Sequence, residues 1–383
     1  MLVKYALKLA ALSSVLMLAP VLALAASKCP AIVQTALAAA DQLCAATKRN
    51  QACYGHVAMT VEAQPNVSDF KFEKAGDVVN LADLKLLRLT PLNEQTGDWG
   101  VAMLRLQANL PDTLPGQNVT FLLFGDAEVT NAVNPGDSKT ADLHPMQAFY
   151  LHTGVGDAAC DEAPESGLLV QTPEGVGEVS LTINEVKVQM GSTVFFQADP
   201  DTKGDMTVNT LEGAAYLNIG QQTQPVVAGT RLRVSGLRKR LAEAIAPAPG
   251  APSTDPLSVP SGGGANGDNQ SVPSTPPEAI LEAYNEKTLN VLPLRLLQRK
   301  IRLRRALTQL ELRRIRELVR SGKVLCGGDL FPVCDKFQKP PVNPVATLAA
   351  PLNPTVVPPA ILPTALPASG APSLPEPPKL PGG

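Results

Sequence analysis

Residues 191–234, GSTVFFQADPDTKGDMTVNTLEGAAYLNIGQQTQPVVAGTRLRV, carry the pattern on which the fold depends. Short runs rich in Val, Thr, Leu and Phe alternate with pairs that favour tight turns, the period of a strand followed by a reversal. Extended to its flanks, the pattern predicts strands at 168–171, 177–183, 186–190, 193–197, 206–211, 214–219, 224–227 and 230–234. The separators are Asn184-Glu185, Gly191-Ser192, the run 199–205, Glu212-Gly213, Gly220-Gln221 and Ala228-Gly229. Strands at this spacing, each closed by a turn signal, predict a sandwich or stacked-sheet all-β domain over 166–245.

Upstream, residues 27–165 predict a smaller α+β domain. The run 29–46, CPAIVQTALAAADQLCAA, has Pro30 in a permitted first turn, and Ile32, Val33, Ala36, Leu37, Ala40 and Leu43 recur at helical spacing. Strands follow at 57–62, 99–106 and 118–129, with a short one at 149–152, while 81–89 (LADLKLLRL) is ambiguous between a helical turn and a strand. Cys29 and Cys44 sit at opposite ends of the expected helix, too far apart to bridge each other. Cys53, placed in a loop, reaches either end only if the chain folds back, and Cys160 lies far downstream, so at least one bridge is long-range. No CxxC pair offers a metal cluster instead.

The corners Thr210-Leu211-Glu212-Gly213 and Ala228-Gly229-Thr230, with the valine-rich strand between them, resemble the FecR-like domain of bacterial envelope proteins over roughly 166–236. The resemblance implies a secreted or periplasmic β-domain; some members of that family sense an outer-membrane signal and pass it to an anti-sigma partner. The chain shows neither a cytoplasmic segment nor an internal membrane helix, so the expected role is extracellular binding or assembly rather than relay. The fold expectation is therefore mainly β: a FecR-like all-β domain preceded by a disulfide-stapled α+β domain, with a C-terminal helical segment and a disordered Pro-rich linker and tail.

Residues 1–26 read as a secretion signal, with Lys4 and Lys8 before an apolar stretch at 10–24 and a small-residue cleavage site that ends near Ala25 or Ala26. The apolar stretch is broken by Ser13, Ser14 and Pro20, and Lys28 before Cys29 is wrong for a lipid-anchor site. No second apolar run of about 18 residues follows, so no stable membrane span is expected. The expected location is extracellular or in the cell envelope, where thiols oxidise. Residues 246–277 read as a flexible linker, and residues 336–383 as a disordered tail, since 14 of the 45 positions from 339 onward are proline.

Between these lies 278–335, read as a basic helical segment. Residues 278–323 hold twelve Lys or Arg against five Glu, a local balance of +7 in a chain of net charge −2. Thr275-Pro-Pro-Glu278 has the form of a capping box, and a second helix is expected from Pro293 to Ser321 with Gly322 as its cap. On a helical wheel Leu292, Leu296, Leu303, Leu307 and Leu310 form one stripe, and Arg295, Arg302, Arg305, Arg313, Arg316 and Arg320 another. Such a face suits an anionic surface; without interleaved aromatics it does not favour deep membrane insertion. Cys326 and Cys334 bracket a Gly- and Pro-containing loop and are expected to pair.

Signals for chemistry are weak. His144 and His152, with Asp142, Asp157 and Asp161, have no spacing that enforces a metal site. The run 199–205 has alternate aspartates like a calcium loop, but Lys203 and Thr210 stand where oxygen ligands belong, so a hairpin turn is the better reading. Nucleophile elbows, phosphate loops and zincin motifs are absent. Paired carboxylates such as Asp161-Glu162, or Asp126 with Glu128, leave an extracellular glycan hydrolase as one alternative. A FecR-type regulator acting with a membrane partner is another. Asn66, Asn118 and Asn269 head glycosylation-type triplets. The leading expectation is a non-enzymatic binding or assembly protein with no cofactor and no metal. Its partner would be an envelope protein or anionic envelope polymer, not nucleic acid.

Overall fold

The computed structural model describes residues 27–321, except 58, 112–116, 134–137, 139, 155–159, 176–177, 200–204, 221 and 236–277. The expected signal, linker, tail and Cys326–Cys334 pair lie outside the described residues, as does Gly322.

Helix α1 (Cys29–Cys44) leads into β1 (Gln51–His56), β2 (Met59–Ala63), β3 (Val78–Asn80), β4 (Leu84–Leu89), β5 (Val101–Leu106), β6 (Val119–Phe124), β7 (Ala127–Asn131) and β8 (Ala148–Thr153). Then come β9 (Gly167–Gln171), β10 (Val179–Ile183), β11 (Val186–Met190), β12 (Thr193–Asp199), β13 (Asp205–Glu212), β14 (Ala214–Ile219), β15 (Gln222–Val227) and β16 (Thr230–Ser235). After the undescribed segment follow β17 (Glu278–Ala283), a one-turn helix α2 (Glu286–Leu289), a 3-10 turn (Leu294–Leu296) and α3 (Gln309–Arg320).

The strands build two sheets. One has nine strands in the order β17-β16-β13-β12-β9-β6-β5-β1-β3, and the other eight in the order β15-β14-β11-β10-β8-β7-β4-β2. The β8–β10 pair is parallel and the rest are antiparallel. Leu104, Phe121, Val170, Phe196, Val208 and Leu232 from the first sheet meet Leu87, Val129, Leu151, Leu181, Val188 and Leu217 from the second in the main core. In β10 and β11, buried and solvent-facing residues alternate, as expected of strands with one wet face.

Strands β5, β6 and β9 are buried on both faces, because the nine-stranded sheet carries a second layer. Met103, Leu122, Phe124, Leu169 and Phe195 on its outer face pack against Ile32, Val33, Ala36 and Leu37 of α1, and against Leu289, Leu292, Leu296 and Leu297. Phe124 and Phe195 stack with centroids 5.8 Å apart and planes 7° from parallel. Two disulfides hold α1 in place: Cys29–Cys160, with Cα atoms 6.2 Å apart, and Cys44–Cys53, with Cα atoms 5.6 Å apart. Cys53 lies in β1, not in a loop, so β1 itself anchors the helix end.

Three expectations are corrected. The boundary at 165/166 separates no cores: both sheets run across it, and the described residues belong to one compact unit. Residues 278–283 form a strand, because Ala279 and Leu281 face the core while β16 offers an open edge for pairing. Only Gln309–Arg320 of the expected 293–321 helix is helical beyond the 3-10 turn. Residues 284–308 instead form a strap over the outer face. Gln171 accepts from the Arg299 N–H at 2.9 Å and donates to the Arg299 carbonyl at 2.9 Å, which diverts both groups from a helix ladder. The ambiguous 81–89 run is both things at once: a 3-10 turn at Leu81–Asp83, then β4. The run 118–129 is broken by Gly125, whose φ of +73° lets β6 turn into β7.

Candidate functional site

Strands β15 and β17 are the last strands of their respective sheets, so one side of the sandwich is open between them. Helix α3 covers it. Leu312 and Ile315 are fully buried against Ala214, Tyr216, Val227 and Leu307, and Leu281 of β17 packs on the same cluster. The start of α3 is set by a capping box: Thr308 Oγ1 accepts from the Glu311 N–H, and Glu311 accepts from the Thr308 N–H at 2.7 Å. Arg305 donates two further bonds to the same carboxylate, at 3.0 and 2.6 Å. Arg305 first, and then Thr308, hold the Glu311 carboxyl down at about 2.

Upstream, the chain passes Gly229 so closely that a Cβ there would stand 2.7 Å from the Arg305 carbonyl, and the φ of +92° also demands glycine. Leu307 N–H donates to the Gly229 carbonyl at 3.1 Å. The second glycine corner read from the sequence is thus the seat of the strap's last residues.

The last turns of α3 overhang a groove of about 640 Å³ lined by Gln222, Thr223 and Gln224 of β15, Ala279 and Leu281 of β17, and Arg316, Val319 and Arg320. Arg316 is held over it by a 2.7 Å bond to the Leu281 carbonyl. Arg320 stands in the final turn, where a cation also suits the negative end of the helix. Neither is paired with a carboxylate among the described residues. Two guanidinium groups beside neutral amides and a hydroxyl can take anionic groups in a bidentate manner.

Of the six arginines expected on one helical face, the structure brings only Arg316 and Arg320 together at this groove. Arg305 is engaged by Glu311, Arg295 lies in the 3-10 turn of the strap, Arg302 is exposed on the strap, and Arg313 is exposed on α3. The leucine stripe is divided likewise: Leu292 and Leu296 join the outer layer, Leu307 the α3 cluster, and Leu310 is 70% exposed. The groove's β15 and β17 residues had no signal in the sequence, since they meet α3 only through sheet order.

Other candidates resolve plainly. His152 lies opposite Glu128 on β8 and β7, and neither it nor His144 belongs to a group of three metal-ligating side chains among the described residues. Glu128 lies 3.8 Å from Arg88. Strands β12 and β13 pair antiparallel up to Asp199 and Asp205, and residues 200–204 between them lie outside the described residues. Asn118 is buried and accepts from Arg49 at 3.1 Å, so it is no acceptor for a glycan. No helix among the described residues is long and apolar enough to cross a membrane. Comparison with protein-family models, with curated proteins and with solved structures finds no match to this chain.

Proposed function

We propose that this chain is a secreted, non-enzymatic binding or assembly protein of the bacterial cell envelope or extracellular space, and that the groove beneath α3 engages an anionic envelope polymer. The observation that carries the reading is the convergence of Arg316 and Arg320, neither of them paired with a carboxylate among the described residues, over a groove whose other polar groups are neutral. An oxidising location is supported by the two disulfides and by the signal-like residues 1–26. The FecR-like reading of 166–236 belongs to the same proposal and rests on the two glycine corners, whose Gly213 and Gly229 have φ of +70° and +92°.

The test is binding of the chain from Ser27 to Gly383 to soluble polyphosphate, at low and at physiological salt. Binding should weaken with salt, and the double variant Arg316→Gln/Arg320→Gln should lose about tenfold, the order expected for two charges near an anionic surface. The control Arg295→Gln/Arg302→Gln should change little. Equal losses in the two double variants would sink the assignment to the groove.

A further inference from the structure

Strand β5 carries one residue unlike its neighbours. Val101, Ala102, Met103, Leu104 and Leu106 are apolar, yet Arg105 is buried among them with 8% of its surface exposed. It lies on the outer face of the nine-stranded sheet, in a polar row created by strand register. Gln51 of β1 is opposite Arg105, followed on the other side by Thr120 of β6, Gln171 of β9, Thr193 of β12 and Glu212 of β13.

The strap covers this row and meets opposite electrostatic conditions at its two ends. At the Glu212 end, Arg299 forms a bidentate pair with the Glu212 carboxylate, so charge is balanced. At the other end Arg105 has no carboxylate partner among the described residues. The Gln298 amide, with its oxygen toward Arg105, accepts from Nη1 and donates to Thr120 Oγ1 at 3.3 Å and the Asn118 carbonyl at 3.2 Å. Nη2 reaches only the Met103 thioether, at 3.7 Å. Nε is buried without any acceptor. Arg49 braces the same corner, donating to Asn118 Oδ1 at 3.1 Å and to the Gln117 carbonyl at 2.8 Å.

An uncompensated buried guanidinium is among the costliest groups a protein can hold, and arginine does not relieve the cost by losing its proton. We propose that Arg105 is the centre of a binding site for a small oxyanion, a carboxylate or phosphate group, seated between β5 and the Gln298 part of the strap. The Nε–H and one Nη2–H leave the same edge of the guanidinium in parallel, which matches two oxygens of either group. The anion takes the place of the Met103 thioether, a flexible side chain that can repack. By neutralising Arg105 it also steadies the Gln298 contacts through which the strap holds to the sheet. This site is separate from the α3 groove and does not depend on the groove's function.

The experiment is thermal unfolding of the chain from Ser27 to Gly383 with inorganic phosphate or acetate, at ionic strength matched with sodium chloride. The melting temperature should rise saturably, by about 3–5 °C at ten times the half-saturating concentration. Arg105→Met should abolish the rise, whereas Arg316→Gln/Arg320→Gln should keep it, which separates this site from the groove. A response to acetate would assign a carboxylate-bearing ligand, and a response to phosphate alone a phosphate-bearing one. A rise of equal size in Arg105→Met overturns the proposal. If that variant does not fold, equilibrium dialysis of Arg316→Gln/Arg320→Gln against labelled phosphate and labelled acetate decides: one anion per chain is expected, and binding of neither overturns it.

Discussion

Glu311 shows how a single half-buried carboxylate can organise an element end. It closes the capping box with Thr308 and receives both outer nitrogens of Arg305, so its charged form is favoured and its pKa drops from an ordinary 4.5 to about 2. A depressed carboxylate contributes stability above its unfolded pKa and loses it as pH falls through the folded one. Fraying of the first turn of α3 should therefore grow as pH falls from about 4.5 to about 2, read by amide exchange at Leu312 and Arg313. Glu311→Gln should fray at neutral pH and show little change across that window. An unchanged pH profile in the variant would show that another group is responsible. The sequence displayed Thr308 and Glu311 at capping-box spacing. The competing signal of an uninterrupted leucine repeat hid them, because periodicity is silent about where a helix begins.

At the scale of elements, the strap is held less by its own propensity than by what lies under it. Gln171, only 2% exposed, uses its amide as a stand-in for a neighbouring strand by bonding both backbone groups of Arg299. Gln171→Ala removes three bonds, the two to Arg299 and a 3.3 Å one to Thr193 Oγ1, and leaves buried groups unpaired, a loss of about 2–3 kcal/mol. Chemical denaturation should register it as a lower midpoint, with α1 and the main core unchanged in the folded state. A midpoint within error of the wild type would mean that the strap is fixed by its leucines alone. Helical periodicity over 293–321 was real in the sequence, but tertiary contacts override weak propensity. Conversely, EAILEA at 278–283 also fits a strand period of two, and the neighbouring edge of β16 settled between them.

For the whole molecule, the central question is how the outer layer stays attached. The Cys29–Cys160 bridge spans 131 residues and Cys44–Cys53 only nine. Chain entropy then assigns about 5 kcal/mol to the first and about 3 kcal/mol to the second. Replacing each pair by serines should destabilise in that order in denaturant titrations; equal losses would point to native contacts rather than loop closure. The second layer also determines which truncations are informative. A chain ending at residue 245 would lack β17, the strap and α3, and would uncover Leu122, Phe124, Leu169 and Phe195. Its loss of binding would report damaged folding, so point changes at Arg316 and Arg320 are the sharper probe.

The sequence by itself determined the strands of 166–235, since each pairs alternating side chains with a turn that only Gly, Asn or a polar pair readily makes; all eight expected strands occur and match to within two residues at both ends. It also determined α1 and the impossibility of a Cys29–Cys44 bridge, because helix rise is a local property. Only the tertiary structure decided that 27–165 and 166–235 share two sheets, that Glu278–Ala283 completes one of them, and that Arg316 and Arg320 meet β15. It alone placed Arg105 beside neutral neighbours and Arg299 beside Glu212. Turn and period are encoded within a few residues of each other, whereas sheet order and the sharing of a face join residues far apart in the chain; Gln171 and Arg299 are 128 positions apart.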